Sequence, residues 1–396
     1  MKVKIILSIT AIIIYSVGCS AQNPPVETQK PNSDYKPART GQTRVAGVKT
    51  KTAYKVDKIA EKLDLPWAII PLPDGRLLIT ERRGAMQILD ANGTFVKKIT
   101  GFPEVDVSGQ GGMLDVALDP NFSKNKMIYW SFSEKNGVGN LMAVAKGELN
   151  EAESKVQNPV VIFRATPALK SSLHFGSRLV FDKDGNLFVS TGERSILEGR
   201  KQAQWLNSGL GKIFKITKDG KPAPGNPFIN QKDAMPEIFA YGFRNAQSLD
   251  INPATGELWE AEFGPRGGDE VNIIRAGKNY GWPTITYGLE YSGEKVGDGI
   301  QQKEGMEQPV YYWDPVLSPS GMTFYKGNTI PEWKNNLFIA ALSGQHIDRL
   351  VSKNNKVVGE ERLLADKNKR FRDVTYLNNM LYAVTDDGEI YRISKK

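Results

Sequence analysis

The chain of 396 residues contains a single cysteine, Cys19, which excludes an intrachain disulfide and any zinc site built on cysteine. Histidine is nearly as scarce: His174 and His346 are the only two, so imidazole chemistry must fall on one of them. Long runs of Lys or Arg are absent, and the formal charge of +8 arises from 52 basic and 44 acidic residues mixed along the chain. That pattern argues against a nucleic-acid partner and suits small anionic ligands better. Helical periodicity is missing too, since no stretch longer than about twelve residues keeps a 3.6-residue apolar repeat. A composition of 40% hydrophobic and 24% charged residues excludes a disordered chain, and 38 glycines and 22 prolines without a period imply many turns and short strands.

The N-terminus explains the lone cysteine. Lys2 and Lys4 precede the apolar run 5–17, which is shorter than the about 20 residues that span a bilayer and fits the core of a signal peptide. Ser16-Val17-Gly18-Cys19 resembles a bacterial lipobox, with Ser16 in place of the usual Leu. Residues 1–18 are therefore read as a signal peptide and Cys19 as the lipidated N-terminus of an exported, periplasmic or outer-membrane-attached protein. The alternative is a secreted protein cut near Ala21. Residues 19–50, polar and proline-bearing, read as a flexible linker touching the membrane only through the lipid; residues 51–396 read as one folded domain.

Within that domain one pattern recurs: a turn of Asp, Asn and Gly, then a short alternating strand, a further turn and a further strand. DGRLLITERRGAMQILDANG (74–93), KDGNLFVSTGER (183–194), ATGELWEAEFGP (254–265), the segment 335–356 and NNMLYAVTDDGEIYRISKK (378–396) carry it, with 125–134 a looser copy. The leading strands of these units begin near residues 77, 127, 187, 258, 337 and 381. Such repetition predicts an all-β six-bladed β-propeller of four-stranded antiparallel blades, with seven blades the alternative count. Residues 52–61 are expected to lend a strand to the last blade and close the ring. The excursions 195–236 and 276–320 are expected to gather at one face.

Five segments exceed what turns and strands require: GQGGMLDVALDP (109–120), HFGSRLVFDKDGNLFVSTGER (174–194), YGFRN (241–245), EFGPRGGDEVNI (262–273) with NYGWP (279–283), and KRFRDV (369–374). An imidazole at a strand entry is often a satisfied structural group, but the glycine-rich setting of His174 favours presentation to a cavity, where it would suit general-base work. Arg244-Asn245 lies in an apolar stretch, where it binds either loop carbonyls or a ligand. Gln110 is flanked by glycines that permit close backbone approach. Arg370 and Arg372 alternate about Phe371, so both guanidiniums share a face and repel unless an anion lies between them. The carboxylates of 269–270 read as a solvated loop or as part of a cation site.

Together with LPWAIIPLPDGRLLITER (65–82), these segments resemble, in order, the soluble glucose/sorbosone (aldose sugar) dehydrogenases, six-bladed propellers that use pyrroloquinoline quinone (PQQ) and calcium. The resemblance implies oxidation of an aldose at C1 to a lactone, with His174 as base and Arg244 stabilising charge on the reduced quinone. It implies cofactor contacts from Gln110, Arg244, Asn245, Tyr291, Arg370 and Arg372, and calcium ligation by the Gly264 and Pro265 carbonyls, with Glu270 and the Tyr280 carbonyl at a further calcium position. An electron acceptor and a monomer or dimer are implied with them. Two departures stand out. Phe263 replaces a polar residue, and Ser343 stands near where relatives carry a lysine, for which Gln345 or His346 is the expected substitute. The rival functions are a calcium-dependent lactonase and a carbohydrate-binding propeller without catalysis.

Overall fold

The structure is a computed structural model that describes residues 23–152 and 154–396. Its strands form six antiparallel four-stranded sheets. Blades 1 to 5 span residues 66–99, 113–164, 176–241, 246–313 and 319–363 in chain order. Blade 6 takes three strands from residues 371–395 and its outer strand, Tyr54–Ala60, from the other end of the chain. Tyr54 pairs with Lys395 and Val56 with Ile393, so the ring closes as the sequence predicts. The first strand of each blade faces the axis, and these inner strands pack each on the next, the last against the first.

The leading strands read from the sequence turn out to be the second strands: Leu77–Glu81, Met127–Asn136, Leu187–Thr191, Leu258–Glu262, Leu337–Ala341 and Met380–Thr385. The inner strands were hidden for a physical reason. They follow the variable connections between blades and not a short hairpin turn, and, as in Pro66–Pro71 (PWAIIP), their sequence does not alternate. Aromatic pairs knit neighbouring blades together, Phe163 on Phe214 at 4.7 Å and Trp259 on Phe324 at 5.6 Å. Truncating a buried ring of this kind to alanine costs about 3–5 kcal/mol.

A polar cluster crosses the axis. Arg178 Nη1 lies 3.1 Å from Asp115 and 3.3 Å from Asp373, and its guanidinium stacks 4.4 Å from the Trp67 ring. Asp115 accepts the Leu179 amide and Asp373 the Ile69 amide, which ties blade 2 to blade 3 and blade 6 to blade 1. Burial pushes the Asp115 carboxyl up to about 6, against the pull of Arg178.

The expected flexible linker needs correction over residues 23–50, which lie along the propeller as a strap. Gln42 is fully buried, Val48 N–H bonds to the Glu360 carbonyl, and Thr50 caps the Glu361 carboxylate at 2.6 and 2.7 Å. Its polar side chains find partners that are distant in sequence, and a search for apolar periodicity cannot detect them. The proposed signal peptide and Cys19 fall outside the described residues. Among the described residues no helix is long and apolar enough to cross a membrane.

Candidate active site

A cavity of about 370 Å³ opens where the loops entering the inner strands converge. It is lined by His174, Gln110, Arg244, Tyr291, Arg370 and Arg372, along with Gly264 and Pro265. Together with Trp67 of blade 1, Leu114 of blade 2 and Ser343 of blade 5, residues from all six blades or their connecting loops thus reach one chamber.

His174 sits just before the inner strand of blade 3 with φ of 50°. Its carbonyl lies so close to Gly192 that a Cβ there would fall 2.3 Å away, so glycine is required at 192. The His174 N–H donates to Gln110 Oε1 at 2.8 Å, and the Gln110 N–H donates to the Ser172 carbonyl at 2.7 Å. Gln110 therefore holds the His174 loop as well as lining the cavity. Arg194, almost fully buried, fastens the same loop by donating to the carbonyls of Leu173, Ser171 and Asn140. Arg82 performs the matching task for the Gln110 loop, donating to the carbonyls of Gly109 and Gly111. Neither arginine stood out in the sequence, because each lies within a repeat turn.

The ring of His174 lies 2.7 Å through Nδ1 from the carboxylate of Glu193, and both side chains are buried. A carboxylate at Nδ1 fixes that nitrogen as the protonated one and leaves Nε2 as the basic nitrogen. Burial, reinforced by Arg244, pushes the imidazole down to about 4, against the opposing pull of Glu193. At neutral pH the ring is uncharged and able to accept a proton. Glu193 is the chief residue the sequence reading missed; the Gly-Glu-Arg end of its repeat looked like an ordinary turn.

Arg244 lies between two rings, 5.3 Å from Trp282 and 5.9 Å from Tyr291, and donates to the Tyr291 hydroxyl at 3.3 Å. Its Nη1 donates to the Gly264 carbonyl at 2.7 Å and the Phe263 carbonyl at 3.1 Å. Asn245 does not line the cavity: it is fully buried behind it, accepting the Gly176 N–H at 3.0 Å. Glu270 and Tyr280 also lie outside, in a narrower recess that shares Arg244, Phe263 and Gly264 with the main chamber. Glu262 lies there too and accepts the Arg244 and Asn245 amides at 2.6 and 3.2 Å. Burial raises Glu260, Glu262 and Glu270 well above the usual carboxylate range. The recess is thus rich in carboxylate and poor in compensating cation. Among the described residues no three acidic, histidine or cysteine side chains converge as a metal set, so a cation here would lean on backbone carbonyls.

Arg370 and Arg372 do share a face, with Phe371 in the core. The anion between them is internal: Asp386 accepts from Arg370 at 2.9 Å and from Arg372 at 2.7 Å. The substitutes expected for the missing lysine are not in place. His346 is buried and its Nδ1 lies 2.7 Å from the Gly344 carbonyl of its own turn, while Gln345 is exposed; neither lines the cavity. Ser343 does line it, with its hydroxyl 2.8 Å from that of Ser318.

A closed six-bladed ring with a buried histidine–carboxylate pair at its mouth belongs to a known class. The chain matches the Glucose / Sorbosone dehydrogenase family model over residues 63–392 and is a member of that family of oxidoreductases. It is 41% identical over 347 residues to the aldose sugar dehydrogenase YliI of Escherichia coli, covering 86% of this chain and 93% of that one. The crystal structure of the soluble E. coli aldose sugar dehydrogenase in its apo form superposes with a TM-score of 0.83 at 40% identity, covering 87% and 100% of the two chains. The PQQ-bound aldose sugar dehydrogenase of Streptomyces coelicolor gives 0.72 at 28% identity, covering 87% and 99%. Membership sets aside the lactonase reading.

Proposed function

We propose that this protein oxidises aldoses at C1 to lactones, with PQQ and calcium bound at the chamber mouth. The observation that carries the reading is the buried His174–Glu193 pair, whose imidazole lines one cavity with Arg244, Arg370 and Arg372. The residues present fit the cofactor. Arg244 Nε and Gln247 Oε1, on two residues that line the chamber, are buried without partners, and partnerless buried polar atoms are costly unless a ligand or water satisfies them. Arg370 and Arg372 match a carboxylate-bearing quinone, and the Gly264 and Pro265 carbonyls beside a carboxylate-rich recess match calcium.

PQQ, when bound, supplies the two-electron chemistry that accepts hydride from C1. His174 Nε2 takes the proton of the C1 hydroxyl, and Glu193 keeps Nδ1 protonated while stabilising the imidazolium that forms. Arg244, held by the rings of Trp282 and Tyr291, presents positive charge where negative charge develops. Asn245 acts from behind, holding Gly176, while Gln110 lines the chamber and holds the His174 backbone in place. Glu270 and the Tyr280 carbonyl remain our assignment for a further calcium in the recess. We place the enzyme outside the cytoplasm as a lipoprotein anchored at Cys19, passing electrons to an acceptor there; Cys19→Ser should release it from the membrane fraction. Adding PQQ and calcium to the purified chain and following dye reduction with a panel of aldoses tests the activity. Reduction should require all three; failure with every aldose would overturn the proposal.

A further inference from the structure

The turn that supplies the Gly264 and Pro265 carbonyls is glycine-rich, with Gly264, Gly267 and Gly268 in five residues, and such backbone is intrinsically loose. Something outside it must hold it. One side is fixed by the excursion of blade 4: the Arg266 N–H donates to the Leu289 carbonyl at 2.9 Å and the Leu289 N–H returns at 3.0 Å. The other side rests on residues 313 and 314. Gly268 N–H donates to the Trp313 carbonyl at 2.8 Å, and a Cβ on Gly267 would fall 2.7 Å from Asp314 Oδ1.

Asp314 is 5% exposed, and its four hydrogen-bond donors all come from the strap. Oδ1 accepts the Asn32 N–H at 2.8 Å and its Nδ2 at 2.9 Å; Oδ2 accepts the Ser33 N–H and hydroxyl, both at 3.1 Å. Asn32 Oδ1 in turn accepts from Arg266 Nε at 3.2 Å, inside the turn itself. Arg44, also on the strap, donates to the Asp314 carbonyl at 2.7 Å. The strap precedes residue 63, where the match to the family model begins.

We infer that Asn32 and Ser33 are positioning residues for the active site: through Asp314 and Arg266 they clamp the Gly264–Pro265 turn and set its affinity for calcium. The calcium part rests on the proposed function; the clamp does not. A hard cation held by carbonyls needs oxygens preset near 2.3–2.6 Å, so a loosened turn binds it less well.

The test uses the full chain carrying Asn32→Ala and Ser33→Ala together, with Asp314→Asn as an independent second variant. Amide hydrogen exchange across 262–270 should speed up about tenfold or more in both, while the strand Leu77–Glu81 keeps its protection. Calcium titrated into the metal-free chain should bind about tenfold more weakly, with an unchanged melting temperature. Ser33→Thr, which keeps the hydroxyl, should behave as wild type. Thr50→Val, which removes a hydrogen bond to Glu361 at the far end of the strap, should leave the turn untouched. Unchanged exchange in the turn when residues 32–33 have opened would overturn the clamp. A loosened turn with unchanged calcium affinity would uphold the clamp and overturn the assignment of calcium to these carbonyls.

Discussion

The loop before the inner strand of blade 3 and the turn before the third strand of blade 5 each carry one of the two histidines, and their surroundings are deceptively alike. Both rings are buried, and burial pushes both down to about 4. They differ in what the Nδ1 atom meets and where the ring lies. His174 meets a carboxylate and lines the chamber, whereas His346 meets its own turn carbonyl and lines no part of it. Neutral imidazole at pH 7 is therefore not a sign of catalysis by itself. A partner that can stabilise the imidazolium, together with access to a ligand, separates the proposed base from the structural ring.

The largest expected effect sharpens that contrast. His174→Ala should lower steady-state turnover by about a hundredfold or more, the scale of a lost general base, while PQQ still binds. Glu193→Gln should come next, lowering the plateau rate by at least about tenfold because the tautomer is no longer fixed. Its pH profile carries a sign. Glu193 raises the His174 pKa, so removing its charge lowers that value further, and the acid limb of the rate profile should move to lower pH. A limb moving upward would show that the pair does not act as described.

Cofactor affinity follows. Arg372→Ala removes the charge-assisted contact we propose to a quinone carboxylate, worth about 1.5–3 kcal/mol, so PQQ should bind roughly ten- to a hundredfold more weakly in a fluorescence titration. Asp386→Asn should do the reverse by about two- to fivefold, the scale of a part-exposed ion pair, because both arginines then turn fully to the ligand. Ser343→Lys, which restores a cation at the cavity wall, should also tighten binding. The smallest effect belongs to the other histidine. His346→Gln should cost about 1 kcal/mol in urea unfolding, through one hydrogen bond, and leave turnover unchanged.

The sequence made the propeller legible because each blade announces its first hairpin with a turn rich in Asp, Asn or Gly followed by a short apolar strand. The inner strands and the strap were not legible, for different reasons. Inner strands such as Pro66–Pro71 follow the connections between blades and carry neither a hairpin turn nor alternation, and the strap is polar with partners such as Asp314 that lie 282 residues from Asn32. In the site, His174, Arg244 and the arginines about Phe371 stood out because charged or titratable groups interrupt glycine-rich or apolar stretches. Glu193 and Asp386 did not, since both occupy positions where a repeat turn already calls for an acidic residue. The expectation that His346 or Gln345 replaces the absent lysine fails because proximity in sequence does not turn a side chain toward the axis.

The claim at the centre of this account is that His174, and not His346, accepts the substrate proton. Stopped-flow absorbance of bound quinone after mixing with an aldose tests it directly, using PQQ- and calcium-loaded wild type, His174→Ala and His346→Ala. Bleaching at the wild-type rate in His346→Ala and about a hundredfold slower in His174→Ala is the predicted result. Bleaching at the wild-type rate in His174→Ala would contradict it.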